Sequence, residues 1–178
     1  MTIGTGYGGV LPPGLEPLPE RGEGVVGTRV SEPARRRLRL KGAAWAVPAV
    51  AALVLAYSSR DDLAGLLLAL VLAAAFAFLA AVNLAPALQG DRPALTIDAD
   101  AVECHVPLSR VRVRLDAITQ VRRLRRDLLL EARGGIRRRG RSTRERWAAI
   151  SYVHAFEVSR DDLAGYLSLR AQPSRPAL

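Results

Sequence analysis

Hydrophobic positions along this chain follow two different periods. The first regime is unbroken. Gly42 to Tyr57 is apolar and reaches 18 residues when Ser58 and Ser59 are counted, and Leu63 to Leu88 adds 26 more without a charge. The polar patch Ser58-Ser59-Arg60-Asp61-Asp62 parts them. A bilayer core of roughly 30 Å takes about 20 apolar residues in helix. The second run exceeds that length and must tilt, while the first reaches it with Lys41 snorkelling from its end. A core helix of a soluble protein has an apolar stripe and a polar back, whereas Leu66 to Val82 is apolar on every side. The pattern predicts a transmembrane helical hairpin over residues 41–90. Small residues along the second run (Ala64-Gly65, Ala73 to Ala75, Ala80-Ala81) allow close helix approach, with Asn83 able to bond across the contact.

From Pro93 the period changes to two. Leu95 to Ile97, Val102 to Val106 and Val111 to Leu115 alternate apolar and polar residues, with a turn at Asp98-Ala99-Asp100. Ile118 to Arg122 and Asp127 to Glu131 read as two more strands, followed by a turn at Gly134-Gly135. Ala148 to Val158 reads as one strand with Ile150, Tyr152, His154, Phe156 and Val158 on one face. Six or so short strands suggest a small antiparallel sheet or barrel. A helix then closes the chain. Ser159 and Asp162 form a capping box, Val158 and Leu163 a hydrophobic staple, and Leu163, Tyr166 and Leu167 the apolar face. The letters Ser-Arg-Asp-Asp-Leu-Ala-Gly occur at both 59–65 and 159–165 and read as one helix start used twice.

The resulting fold class is α+β, in four parts. Residues 1–40 form a tail ending in basic residues, disordered through the Gly- and Pro-rich 1–33; 41–90 are the hairpin; 91–172 are the sheet domain; 173–178 are a tail. Residues 93–171 are expected to stand alone as a soluble domain.

Charge adds orientation and a candidate surface. The chain carries a net +9. Arg35, Arg36, Arg37, Arg39 and Lys41 precede the first span, and Arg92, Arg110, Arg112 and Arg114 follow the second, whereas the hairpin turn has no positive bias. Cations flanking spans stay on the cytoplasmic side, so the expectation is a multi-pass protein of the inner (plasma) membrane with both termini cytoplasmic. Residues 122–146 hold eleven Arg against Asp127, Glu131 and Glu145. Within them Arg122, Arg123, Arg125, Arg126, Arg137, Arg138, Arg139 and Arg141 are the candidate contacts to anionic lipid, the guanidinium being a fork for phosphate. The plainer reading makes 137–141 a solvated loop. Nucleic acid is the least favoured partner, because only Trp147 and Tyr152 lie near for base stacking.

Chemistry is sparse. Neither a phosphate-binding Gly-rich loop nor a metal-ligand spacing is present, His105 and His154 stand apart, and the single Cys104 falls on an inward strand position. No cofactor, no metal and no catalysis are expected.

Leu95-Thr-Ile-Asp-Ala-Asp-Ala-Val102 as an opening hairpin, Arg112-Val-Arg-Leu-Asp-Ala-Ile118 as the strand into an Asp-x-Ile step, and the closing helix Asp161 to Leu169 together resemble a known arrangement. It is that of small bacterial membrane proteins carrying a pleckstrin-homology-like (PH-like) domain behind two transmembrane helices, with Leu115 where that family has a Trp. The likeness covers about half of the chain. It implies a β-barrel capped by a helix and a non-catalytic binding or scaffold role. Two functions stay open: a membrane-anchored module whose Arg-rich loop faces anionic lipid, and an assembly protein whose spans form a homo-oligomer through Ala and Gly faces. In both, any protein partner is unknown.

Overall fold

The computed structural model describes residues 10–106 and 110–171, which fall into two units: the helical segment Glu32–Gly90, and a β unit built from the chain on both sides of it.

In the helical unit, α1 (Glu32–Ser58) and α2 (Leu63–Ala87) are long and apolar enough to cross a membrane. α1 starts ten residues before the apolar run, so Arg35 to Lys41 lie on its first turns rather than in a tail. Its buried positions Gly42, Ala49, Ala52 and Ala56 recur at spacings of three, four and seven, and on α2 they are Ala69, Ala73, Ala80 and Ala87. That is the spacing of a close-packed helix seam. Small side chains make it close: a Cβ on Gly42 would lie 2.4 Å from Leu84 Cγ. Trp45 stacks on Phe76 at 5.9 Å between ring centroids. The outward Val47, Val50, Leu53, Leu68, Val71 and Phe78 are each more than half exposed, unlike a soluble core helix. Asn83 does not bond across the seam: its Nδ2 donates to Leu79 O one turn back, at 2.7 Å.

In the β unit the strands are β1 (Glu16–Pro17), β2 (Val26–Thr28), β3 (Leu95–Ile97), β4 (Ala101–Cys104), β5 (Val111–Arg114), β6 (Ile118–Arg123), β7 (Leu128–Ala132), β8 (Ile136–Arg138), β9 (Arg141–Ser142) and β10 (Trp147–Ile150). They form a seven-stranded antiparallel sheet ordered β1-β2-β3-β4-β5-β8-β9 and a three-stranded sheet ordered β10-β7-β6, not a closed barrel. Alternation explains the core. Ile97, Val102, Val113 and Ile136 align in register across four strands, and each is nearly inaccessible, as are Leu128 and Leu130 of β7 and Ile150 of β10. Cys104 lies in this core, where burial pushes its thiol up to about 11 and keeps it protonated at neutral pH. α3 (Arg160–Arg170) packs on β6 and buries Leu163 and Leu167.

Three expectations change here. Residues 10–31 are not a disordered tail. β2 pairs with β3 (Val26↔Ile97, Thr28↔Leu95), Val30 bridges Phe156, and Leu15, Leu18, Val26 and Val30 are buried. Gly14, at φ +84°, lets the chain run against the backbone of Glu157 and Val158, where a Cβ would come within 2.4 Å. Residues 1–9 and the tail 173–178 lie outside the described residues. Second, the strand expected over Ala148 to Val158 ends at Ile150. Tyr152 turns the chain at φ +64°, its amide donating to Asp127 Oδ1 at 3.0 Å, and a 3-10 turn, Val153–Ala155, follows. Third, the repeated heptapeptide starts both helices with different letters. Ser159 caps α3, whereas α2 begins three letters later with Asp62 accepting from Ala64 N and Gly65 N. The first Ser59 is still bonded to the end of α1 through Leu55 O and cannot cap. The capping box is also altered, since the Asp162 carboxylate accepts from the Ser159 hydroxyl at 2.7 Å.

Candidate functional site

Strand alternation places the arginines. In Val111-Arg-Val-Arg the valines face the core, and Arg112 and Arg114 point out. β8 continues the rule with Ile136 inward and Arg137 outward. The pairing aligns Thr96, Glu103, Arg112, Arg137 and Ser142 in one cross-strand row over β3, β4, β5, β8 and β9. Residues 137–141 are exposed to solvent, as the plainer reading has them, but strand pairing orders them. They are a tight hairpin whose two turn residues, Arg139 (φ +48°) and Gly140 (φ +83°), both take the left-handed region of a type I′ turn. An Arg there carries a conformational cost of about 1–2 kcal/mol that Gly or Asn would largely avoid.

Over the middle of this row a cleft of about 350 Å³ is lined by Glu103, Arg110, Arg112, Arg137, Arg139 and Gly140. Arg110 Nε reaches Glu103 Oε1 at 3.4 Å, and Arg112 Nη2 reaches Asp98 Oδ2 at 3.4 Å. A larger groove of about 790 Å³, lined in part by Thr119, Ser142 and Thr143, mixes Glu131 and Glu145 with Arg133, Arg144 and Arg146, so much of its charge cancels locally. The smaller cleft holds the more concentrated positive charge.

The run of arginines that is continuous in sequence is divided by the fold. Arg122 and Arg123 belong to β6 of the other sheet. The Arg122 guanidinium lies 5.0 Å over the Trp147 ring, and Arg123 Nη1 pairs with Asp161 Oδ1 at 3.4 Å. Arg125 and Arg126 sit on the β6–β7 turn, where Arg126 O accepts from His154 Nδ1 at 3.2 Å. Arg138, on the opposite parity from Arg137, pairs with Glu145 at 2.8 Å, and Arg141 stands opposite it on β9. Of the eight candidate contacts, only Arg137 and Arg139 line the cleft, where they meet Arg110 and Arg112. Those two read as topology signals in the sequence. Their signal as a site was the Arg-x-Arg spacing around Val111, which sends both to one face.

Beside the cleft, His105 Nε2 lies 2.9 Å from the Thr96 hydroxyl and Nδ1 lies 3.7 Å from Glu103. Burial lowers the His105 pKa from the ordinary 6.5, against the pull of Glu103 and with help from Arg21 and Arg110. The unfolded chain therefore takes up this proton at a higher pH than the folded one. The His105 contribution is complete above about pH 6.5 and is lost as the pH falls below it. The thermal midpoint of the full chain in neutral detergent is expected to decline over that interval. His105→Gln should remove that component of the decline; an unchanged profile in the variant would refute the assignment.

Among the described residues no group of three or more His, Cys, Asp or Glu could hold a metal ion. No protein family matches the chain, and neither a curated protein nor a solved structure is found to be similar to it.

Proposed function

We propose that the protein is a non-catalytic interaction module anchored in the inner membrane by α1 and α2, with both termini cytoplasmic and a PH-like sheet domain whose arginines face anionic lipid. The observation that carries this reading is the pairing of β2 with β3 around the hairpin. A strand from before the spans and a strand from after them complete one sheet, so both ends of the hairpin share a compartment. The five cations Arg35, Arg36, Arg37, Arg39 and Lys41 at the start of α1 favour the cytoplasm as that compartment. Two antiparallel sheets with a closing helix support the PH-like assignment.

The assembly reading keeps part of its support. Of the small residues on the second span, Ala73 and Ala80 are buried in the seam between α1 and α2, whereas Ala64, Ala74, Ala75 and Ala81 are exposed. Trp147, the aromatic nearest the arginines, has a face covered by Arg122, which disfavours base stacking and with it nucleic acid.

Orientation is tested by single cysteines at Ser59 and Gly135. Ser59 should label from outside intact cells and Gly135 should not, and buried Cys104 contributes no background; outside labelling at Gly135 would reverse the topology. The lipid surface is tested by amide hydrogen exchange in discs of phosphatidylcholine with or without phosphatidylglycerol. Each Arg near an anionic surface is worth about 1 kcal/mol, so changing Arg137, Arg138, Arg139 and Arg141 to Gln removes at most about 4 kcal/mol of attraction, and less to the extent that Arg138 is already paired with Glu145. The β8–β9 hairpin should exchange more slowly in anionic discs. High salt, which shortens the Debye length to about 3 Å at 1 M, or the fourfold variant should erase the difference. Equal exchange in the two discs at low salt would eliminate the lipid-facing reading.

A further inference from the structure

Arg112 and Arg137 stand directly opposite each other across β5 and β8, with Arg110 and Arg139 at the end of the same cleft. Like charges directly opposite on a sheet repel, so this row opposes the stability of the sheet that displays it. Two carboxylates offset it in part, Glu103 toward Arg110 and Asp98 toward Arg112. Arg137 and Arg139 have no ion pair among the described residues. Four guanidiniums thus converge with two charges uncompensated. Arg139 moreover occupies a left-handed turn position, at φ +48°, that disfavours a residue carrying a Cβ. The neighbouring larger groove, with carboxylates interspersed among its arginines, lacks this excess.

We infer that the cleft is a binding site for a phosphomonoester dianion. A phosphomonoester at neutral pH carries about −1.5 to −2 charge and presents three terminal oxygens. That matches two uncompensated guanidinium forks, each able to give a two-pronged hydrogen bond. A phosphodiester offers one charge and two terminal oxygens, leaving one fork unmet. Arg137 and Arg139 supply the uncompensated pair, while Arg110 and Arg112, steadied by their carboxylates, wall the cleft. The inference rests on the reading that this arginine face meets anionic lipid, and it adds selectivity among headgroups.

The test uses the full chain in neutral detergent and titration calorimetry at neutral pH. The probes are dioctanoyl phosphatidic acid, a monoester, and dioctanoyl phosphatidylglycerol, a diester, with glycerol 3-phosphate as a soluble competitor. The monoester should bind at least tenfold more tightly. The R112Q/R137Q variant should lose that preference, R137K should lose part of it by keeping charge without the fork, and the charge-matched R125Q/R126Q variant should keep it. Displacement by glycerol 3-phosphate supports the site with a soluble ligand as a sufficient source, and failure to displace supports it with the lipid as the source. Equal affinity for monoester and diester, or equal loss in R125Q/R126Q and R112Q/R137Q, overturns the inference. If discs still protect the hairpin from exchange in that case, the lipid-facing reading survives alone; if protection is also absent, both readings fall.

Discussion

Expressed without residues 10–31, the chain from 91 to 171 will not unfold cooperatively, because it will not have folded. Leu15, Leu18, Val26 and Val30 are each at most 6% exposed. Burying such a side chain stabilises by about 1.5–3 kcal/mol, so the four together supply on the order of 6–12 kcal/mol, an upper figure because unfolded chains already bury some surface. A whole domain is stable by only about 5–15 kcal/mol. The loss therefore rivals the entire margin. It also strips β3 of one of its two partners and leaves the amides of Ala94 and Glu157 without the acceptors Thr28 O and Arg29 O. Joining residues 10–31 to 91–171 through a flexible Gly/Ser linker in place of 32–90 should restore a soluble domain with a sheet-dominated circular-dichroism spectrum and a sharp thermal transition. A sharp transition at the same temperature in the 91–171 fragment would show that the first strands are dispensable.

In that linked domain, Leu163→Ala should lower the thermal midpoint by roughly 10–30 °C. Leu163 has no accessible surface and sits on the α3 face that packs on β6. Truncating a buried Leu to Ala costs about 2–5 kcal/mol, and each kcal/mol moves the midpoint of a domain this size by about 4–8 °C. Ser159→Ala is the comparison. It removes the N-cap bond to Asp162 N at about 1 kcal/mol, and so should shift the midpoint by only about 4–8 °C. The ordering separates packing from capping as the force that holds α3. A larger shift for Ser159→Ala than for Leu163→Ala would assign that force to the cap.

Where one physical signal dominated a segment, the chain disclosed its structure. Unbroken apolarity marked α1 and α2, and strict alternation marked β3 to β5. β1 and β2 escaped notice because they are two and three residues long and lie among Pro and Gly; their strand character comes from β3 and from Leu18, not from local propensity. β8 and β9 were hidden by arginines that a short edge hairpin tolerates because they point into solvent. The site was legible in kind but not in membership. A run of like charges names its chemistry, yet register alone decides that Arg112 joins Arg137 while Arg122 turns away to Trp147.

If α1 and α2 span the membrane as proposed, the pairing of Val26 to Thr28 with Leu95 to Ile97 also has a meaning for biosynthesis. At about 5–20 residues per second of synthesis, β2 waits several seconds for its partner while both apolar segments are made and inserted. The first strands stay open throughout that interval, exposed to chaperones or to the nascent chain of a neighbouring ribosome. The sheet can close only after the second segment has returned the chain to the side where β2 was left. A molecule that threads one segment and not the other strands β1 and β2 across the bilayer from β3. In the proposed topology, completion of the sheet would mark a chain with both segments inserted.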